Sequence, residues 1–78
     1  MHNMTPEQSR MARAALNWNL ETLAFKSGVS RNTISRFEAG NPANKATITA
    51  MRLTLEAAGV IFIDQNGEGP GVRLKKTP

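Results

Sequence analysis

Residues 19–40, NLETLAFKSGVSRNTISRFEAG, constrain the fold more than any other part of the chain. Asn19 is a good N-cap for a helix from Leu20 to about Ser27. Glu21 sits in its first turn, where the helix dipole favours an anion. Gly28 follows, and glycine accepts the positive φ at which helices commonly end. Val29 then plugs the turn. Ser30 caps a second helix, from Arg31 to about Ala39, and Gly40 and Asn41-Pro42 stop it. Leu23 and Ala24 share a face of the first helix, with the small alanine where two helices must cross closely. Ile34 and Phe37 carry the buried face of the second. The order Gly-Val in the turn is more than a generic helical hairpin requires. The reading is two short helices joined by a tight turn, the second basic and rich in hydroxyl and amide side chains.

The flanking sequence supplies the remaining elements. Thr5-Pro6-Glu7-Gln8 is a helix start: Thr5 caps, Pro6 fits the first helical position and Gln8 completes a capping box. This helix runs from about Pro6 to Leu16, with Met11, Ala12, Ala15 and Leu16 as its apolar side. Asn17-Trp18-Asn19 interrupts the pattern, and Trp18 reads as a core residue. A fourth helix runs from about residue 46 to Ala58, with Ile48, Met51, Leu55 and Ala58 as a core stripe. Leu53 falls off that stripe. After Gly59 the period changes: Val60-Ile61-Phe62-Ile63 reads as a strand, residues 64–71 as a turn, and Val72-Arg73-Leu74 as a second strand. The expected fold is mainly α: four helices and a short C-terminal hairpin over about residues 60–74, forming one domain over 1–78.

Composition narrows the function classes. A chain of 78 residues buries only roughly 60% of its unfolded surface, so a partner subunit is a natural source of added stability. The chain has no cysteine, which excludes disulfides and thiolate metal sites and fits a reducing cytoplasm. The longest apolar run, Ala57 to Ile63, is far short of a membrane span of about 20 residues. Ten Lys and Arg against six Asp and Glu favour a polyanionic partner. Arg10, Arg13, Lys26, Arg31, Arg36 and Lys45 fall in or beside the paired helices, and Arg73, Lys75 and Lys76 form a basic tail.

Two helices and a turn of this kind place side chains against DNA base edges. Arg31, Asn32 and Arg36 point away from the anchors Ile34 and Phe37. Arginine pairs bidentately with guanine and asparagine with adenine, so these three are the candidate base readers. Asn19, Ser30, Thr33 and Lys45, the last in the loop after the second helix of the pair, are the candidate phosphate contacts.

The chain resembles the Xre/Cro family of lambda-repressor-like helix-turn-helix regulators. The matching residues are Leu23-Ala24, Gly28-Val29-Ser30, Thr33-Ile34-Ser35-Arg36, Phe37-Glu38-Ala39-Gly40 and Leu55-Glu56-Ala57-Ala58-Gly59-Val60. The likeness extends to Gly71-Val72-Arg73-Leu74, a tail typical of a compact bacterial subgroup. It implies a five-helix or shortened four-helix domain, the hairpin here replacing the fifth helix. It implies base reading by Arg31, Asn32 and Arg36, and a structural ion pair between Arg13 and Glu38. Two residues depart from the pattern: Leu20 stands where the family usually has a phosphate-binding glutamine, and Phe25 where it is commonly polar.

The expected function is a transcriptional regulator that binds double-stranded DNA as a homodimer on a pseudo-palindrome. The alternative is an antitoxin-like or adaptor module that binds a protein and its own promoter. Leu20, Phe25, Leu53, Val60 and Phe62 are the candidate dimer or partner surface. No metal site or cofactor is expected. His2 is the only histidine, and Asp64, Asn66 and Glu68 lack the bidentate glutamate that completes a calcium loop, because Lys75 stands there. The glycines at 67, 69 and 71 do not open a helix and do not form a dinucleotide fingerprint. No nucleophile–base pair or carboxylate dyad supports an enzyme.

Overall fold

The computed structural model describes residues 4–76. His2 and the last two residues of the tail lie outside them. The elements are α1 (Pro6–Leu16), α2 (Leu20–Ser27), α3 (Arg31–Glu38), α4 (Lys45–Ala57), β1 (Val60–Ile63) and β2 (Gly71–Leu74). This matches the mainly helical architecture with a C-terminal hairpin expected above.

Local chemistry sets each boundary. At the start of α1, Gln8 N donates to Thr5 Oγ1 (3.1 Å) and Thr5 N donates to Gln8 Oε1 (3.0 Å), a reciprocal capping box. The helix ends at Asn17, whose φ of 59° is left-handed, a conformation asparagine tolerates better than most residues. Gly28 ends α2 at φ 75°. A Cβ there would meet nothing within 4 Å, so glycine is required by backbone conformation and not by crowding.

Helix α4 begins one residue earlier than residue 46. The side chain of Asn44 is its N-cap and accepts from Thr47 N at 2.8 Å. Lys45 is therefore the first residue of a helix, not part of the preceding loop. Helix α3 stops at Glu38 and β2 already includes Gly71.

Leu23, Ile34, Met51 and Leu55 are fully buried, and Ala12, Phe37, Val60 and Met4 complete the core. Burying each large side chain contributes about 1.5–3 kcal/mol relative to leaving it exposed. The inner side of α1 is more polar than its pattern suggests. Gln8 and Ser9 are buried with Ala12, whereas Ala15 is exposed. Ala58 is also exposed and leaves the α4 stripe.

The antiparallel hairpin pairs Val60 with Leu74 and Ile63 with Gly71. A hairpin alone is marginal in water; this one packs against α1 and α4. Gln8 Nε2 donates to Ile63 O and to Gly71 O, each at 3.0 Å. One buried amide thus ties the first turn of α1 to both strands at their turn end. On α4, the Arg52 guanidinium lies 4.8 Å from the centre of the Phe62 ring, a cation–π contact.

Val60 must be removed from the candidate partner surface. It is only 3% exposed because its side chain faces the core. Leu20 and Phe62 are half-buried and pack against the same core. Of the five candidates, Phe25 (89% exposed) and Leu53 (60%) present large apolar side chains to solvent.

Candidate nucleic-acid interface

Helix α3 has two unlike sides. Ile34 and Phe37 are buried, at 0% and 5% exposure, and hold the helix against α1 and α2. Arg31, Asn32 and Arg36 are exposed. Three residues that the sequence groups by type are therefore brought to one outward surface.

Glu38, at the end of α3, faces inward. Its Oε2 accepts from Ser9 Oγ at 2.6 Å and from Arg13 Nε at 2.8 Å, and its Oε1 accepts from Arg13 Nη2 at 2.5 Å. Arg13 Nη1 also donates to Trp18 O at 3.2 Å. The two charged side chains are 19% and 6% exposed. The hydrogen bonds that Arg13 donates to Glu38 hold the Arg13 pKa above the ordinary arginine value, outweighing partial burial, with the charge of Glu38 adding to the effect. This bidentate pair fixes the end of α3 to α1 and takes a carboxylate off the outer surface. Arg10 donates to the Glu38 backbone carbonyl.

Arg31 also has a partner. Its Nε donates to Glu21 Oε2 at 2.7 Å, across the turn between α2 and α3. The pair is exposed, at 52% and 63%, so it is worth little to stability. It does constrain geometry, because a guanidinium held by Nε keeps its Nη groups available. The Glu21 pKa is lowered, first by a bond from its own backbone N–H and then by Arg31. In the sequence Glu21 reads only as a helix-start anion. The signal for the pair is that residues 21 and 31 flank one tight turn.

The candidate phosphate contacts cluster at helix starts. Asn19 caps α2, its Oδ1 accepting from Thr22 N and Thr22 Oγ1, both at 2.8 Å. Ser30 caps α3, accepting from Thr33 N at 3.2 Å and donating its own hydroxyl to Thr33 Oγ1 at 2.8 Å. The Ser30 proton is thus used internally, whereas the Thr33 hydroxyl remains a donor. Lys45 is exposed in the first turn of α4. Helix N-termini and a lysine suit oxyanions.

The basic residues near this surface therefore separate. Arg31, Arg36 and Lys45 are exposed, as is the neutral amide of Asn32. Arg13 is committed to Glu38, and Lys26 lies with Nζ 5.4 Å from the centre of the Trp18 ring. Trp18 itself is half-buried against the core. Among the described residues, no group of three or more His, Cys, Asp or Glu could hold a metal ion. No helix among them is long and apolar enough to cross a membrane.

A family model described as helix-turn-helix matches residues 10–56, more than half of the chain. The chain belongs to the Xre/Cro-like helix-turn-helix family. A search of curated proteins gives no significant match. The matched region runs from α1 into α4, so it includes the Arg13–Glu38 pair and the turn at Gly28. The hairpin of this helix-turn-helix protein lies beyond it. Membership makes a DNA-binding regulator the function class of this helix-turn-helix chain.

Proposed function

We propose that this helix-turn-helix protein is a sequence-specific regulator that places α3 in the major groove of duplex DNA. The observation that carries the reading is the two-sided build of α3. Arg31, Asn32 and Arg36 are exposed, while buried Ile34 and Phe37 fix the helix and buried Glu38 is neutralised by Arg13. Arg31 and Arg36 are assigned to guanine and Asn32 to adenine. Asn19, Thr33 and Lys45, with the N-termini of α2, α4 and α3, the last capped by Ser30, hold phosphates and set the register. Glu21, by holding Arg31 Nε, aims that arginine's Nη groups at the groove.

A single module buries too little surface for tight specific binding. The functional unit is therefore a homodimer on a pseudo-palindrome, with half-site centres about 34 Å apart. Selection from a random duplex pool, followed by sequencing, tests this reading. A palindromic consensus containing guanine and adenine at contacted positions is expected, and no enrichment refutes it. Affinity must also fall steeply as salt rises, because phosphate contacts release counterions.

A second reading rests on Phe25, 89% exposed on α2, and Leu53, 60% exposed on α4. A regulator of this kind that also works as an adaptor would bind a protein through them. A stoichiometric partner lost on Phe25→Ser, with duplex binding unchanged, is the expected sign of that role. Duplex binding lost along with the partner argues against it.

A further inference from the structure

We propose that Asn66 is a site of spontaneous deamidation, which turns its exposed amide into a mixture of aspartate and isoaspartate while the domain stays folded. It gives the protein a second, more acidic form that accumulates with the age of the molecule. Neither DNA nor a protein partner is needed for it.

Asn66 is followed by Gly67, and no other asparagine in the chain precedes a glycine. The Gly67 nitrogen attacks Cγ of Asn66. The bond from Cγ to the side-chain nitrogen breaks, and ammonia leaves with the proton of the attacking nitrogen. The product is a five-membered succinimide. Water then adds to one of its two carbonyls. Opening at Cγ gives aspartate; opening at the main-chain carbonyl gives isoaspartate, in which the chain runs through Cβ. In sum, asparagine and water become an acid and ammonia, with no oxidant or cofactor. Glycine hinders the attack least, because no Cβ stands beside the nitrogen. Even a Cβ built at Gly67 would meet nothing within 4 Å, so the space around that nitrogen is open.

The hairpin leaves this pair unrestrained. An Asn-Gly step commonly forms a two-residue turn, clamped on both sides by the strand ladder. Here the ladder ends at Ile63 and Gly71, and residues 64–70 connect the strands. Asn66 and Gly67 are both exposed. Among the described residues, no hydrogen bond holds the Asn66 amide or the Gly67 N–H. A cleft of about 610 Å³ separates Gln65 and Pro70 of the loop from the start of α1. The rotation about the Asn66 Cα–C bond that brings the Gly67 nitrogen onto Cγ therefore breaks no ladder bond.

The fold protects the other described asparagines. The amides of Asn19 and Asn44 are held as caps by Thr22 N and Thr47 N, each at 2.8 Å. The N–H after Asn17 donates to Arg13 O at 2.8 Å, and the N–H after Asn32 to Ser30 Oγ at 3.2 Å. Asn41 precedes Pro42, which has no N–H to lose.

The same hairpin absorbs the product. Gln8 Nε2 holds both ends of the loop, at Ile63 O and Gly71 O. Isoaspartate adds one carbon to the backbone between these fixed points, and loop closure depends only weakly on length. The formal net charge, +4, falls by one. The new carboxylate joins exposed Asp64 and Glu68 in the loop.

The test incubates the folded chain in mildly alkaline heavy-oxygen water and maps incorporation by mass spectrometry of its peptides. Heavy oxygen is expected at residue 66, with isoaspartate the larger product, and not at Asn19 or Asn44. Asn66→Gln, whose longer side chain would need a six-membered ring, is expected to abolish the incorporation, and Gly67→Ala to slow it. The converted protein, separated by cation exchange, is expected to keep its circular dichroism and its urea midpoint. An amide at Asn66 that survives in the folded chain but is lost in urea overturns the proposal, because the fold then protects it. Heavy oxygen spread evenly over all asparagines overturns it too, by assigning the reaction to unfolded molecules. Loss of the folded spectrum on conversion overturns the claim that the loop absorbs the change.

Discussion

Replacing Glu38 with alanine removes the acceptor for two groups at once. The Arg13 guanidinium, 19% exposed, loses both of its bonds to the carboxylate. Ser9, 0% exposed, loses the acceptor for its hydroxyl. Breaking a buried ion pair from one side costs about 3–5 kcal/mol, and an unsatisfied buried hydroxyl costs about 1–3 kcal/mol. These costs overlap, because water reaching the cavity relieves both, so a loss of about 3–4 kcal/mol is expected. At about 0.05–0.15 kcal/mol per residue, the whole domain has only about 4–12 kcal/mol to lose. Urea unfolding followed by circular dichroism reads the loss directly, and in heat the midpoint should fall by at least about 12 °C. The double variant Arg13→Met with Glu38→Leu should recover the ion-pair part of the loss, because it leaves no charge unpaired, but not the part due to the Ser9 hydroxyl, which still lacks its acceptor. A cost for Glu38→Ala below about 1 kcal/mol is what an exposed pair would show. That result would refute the claim that this contact fixes α3 to α1.

Gln8→Glu keeps the shape of the side chain but sets a carboxylate against the carbonyls of Ile63 and Gly71. It should cost about 2–4 kcal/mol in urea unfolding, with amide exchange accelerated first at residues 60–74; uniform acceleration along the chain would contradict the tie. Arg36→Ala should relax base preference at one position at a cost of about 1–3 kcal/mol, whereas Lys45→Ala should weaken all duplexes alike and lower the salt slope by about one. Both are read by fluorescence anisotropy on matched duplexes. The carboxyl of Glu21, followed by NMR, should titrate below the ordinary glutamate range, and Arg31→Ala should raise it only part of the way, because the first cause is its own backbone N–H. Since the folded value is the depressed one, any stability linked to this exposed group is present above the ordinary glutamate pKa and is lost as pH falls through the folded value.

The local signals in the sequence translate directly into structure. Thr5, Asn19, Ser30 and Gly28 mark helix ends because caps and positive φ depend on neighbouring residues alone. Ile34 and Phe37 identify the buried side of α3 because helical spacing fixes which residues share a face. What escapes is set by distant contacts. Lys45 reads as a loop residue because nothing in the sequence distinguishes Asn44, an ordinary polar residue, as the cap of α4. Gln8 was legible as half of a capping box, but its second role depends on backbone carbonyls 55 and 63 positions away, which have no sequence signature. Val60 reads as a strand residue whose two faces are equivalent until helix packing chooses one. The Glu21–Arg31 contact depends on how tightly the turn folds.

Helix α3 and the adjoining helix starts form the proposed DNA surface. Amide NMR of labelled protein, titrated with a duplex recovered by selection, tests it most directly. Shifts should concentrate at residues 19–22, 30–36 and 44–47 and leave 60–74 unchanged. Shifts centred on Lys26, Leu53 and Ala57, which line the groove between α2 and α4, with α3 silent, would contradict it.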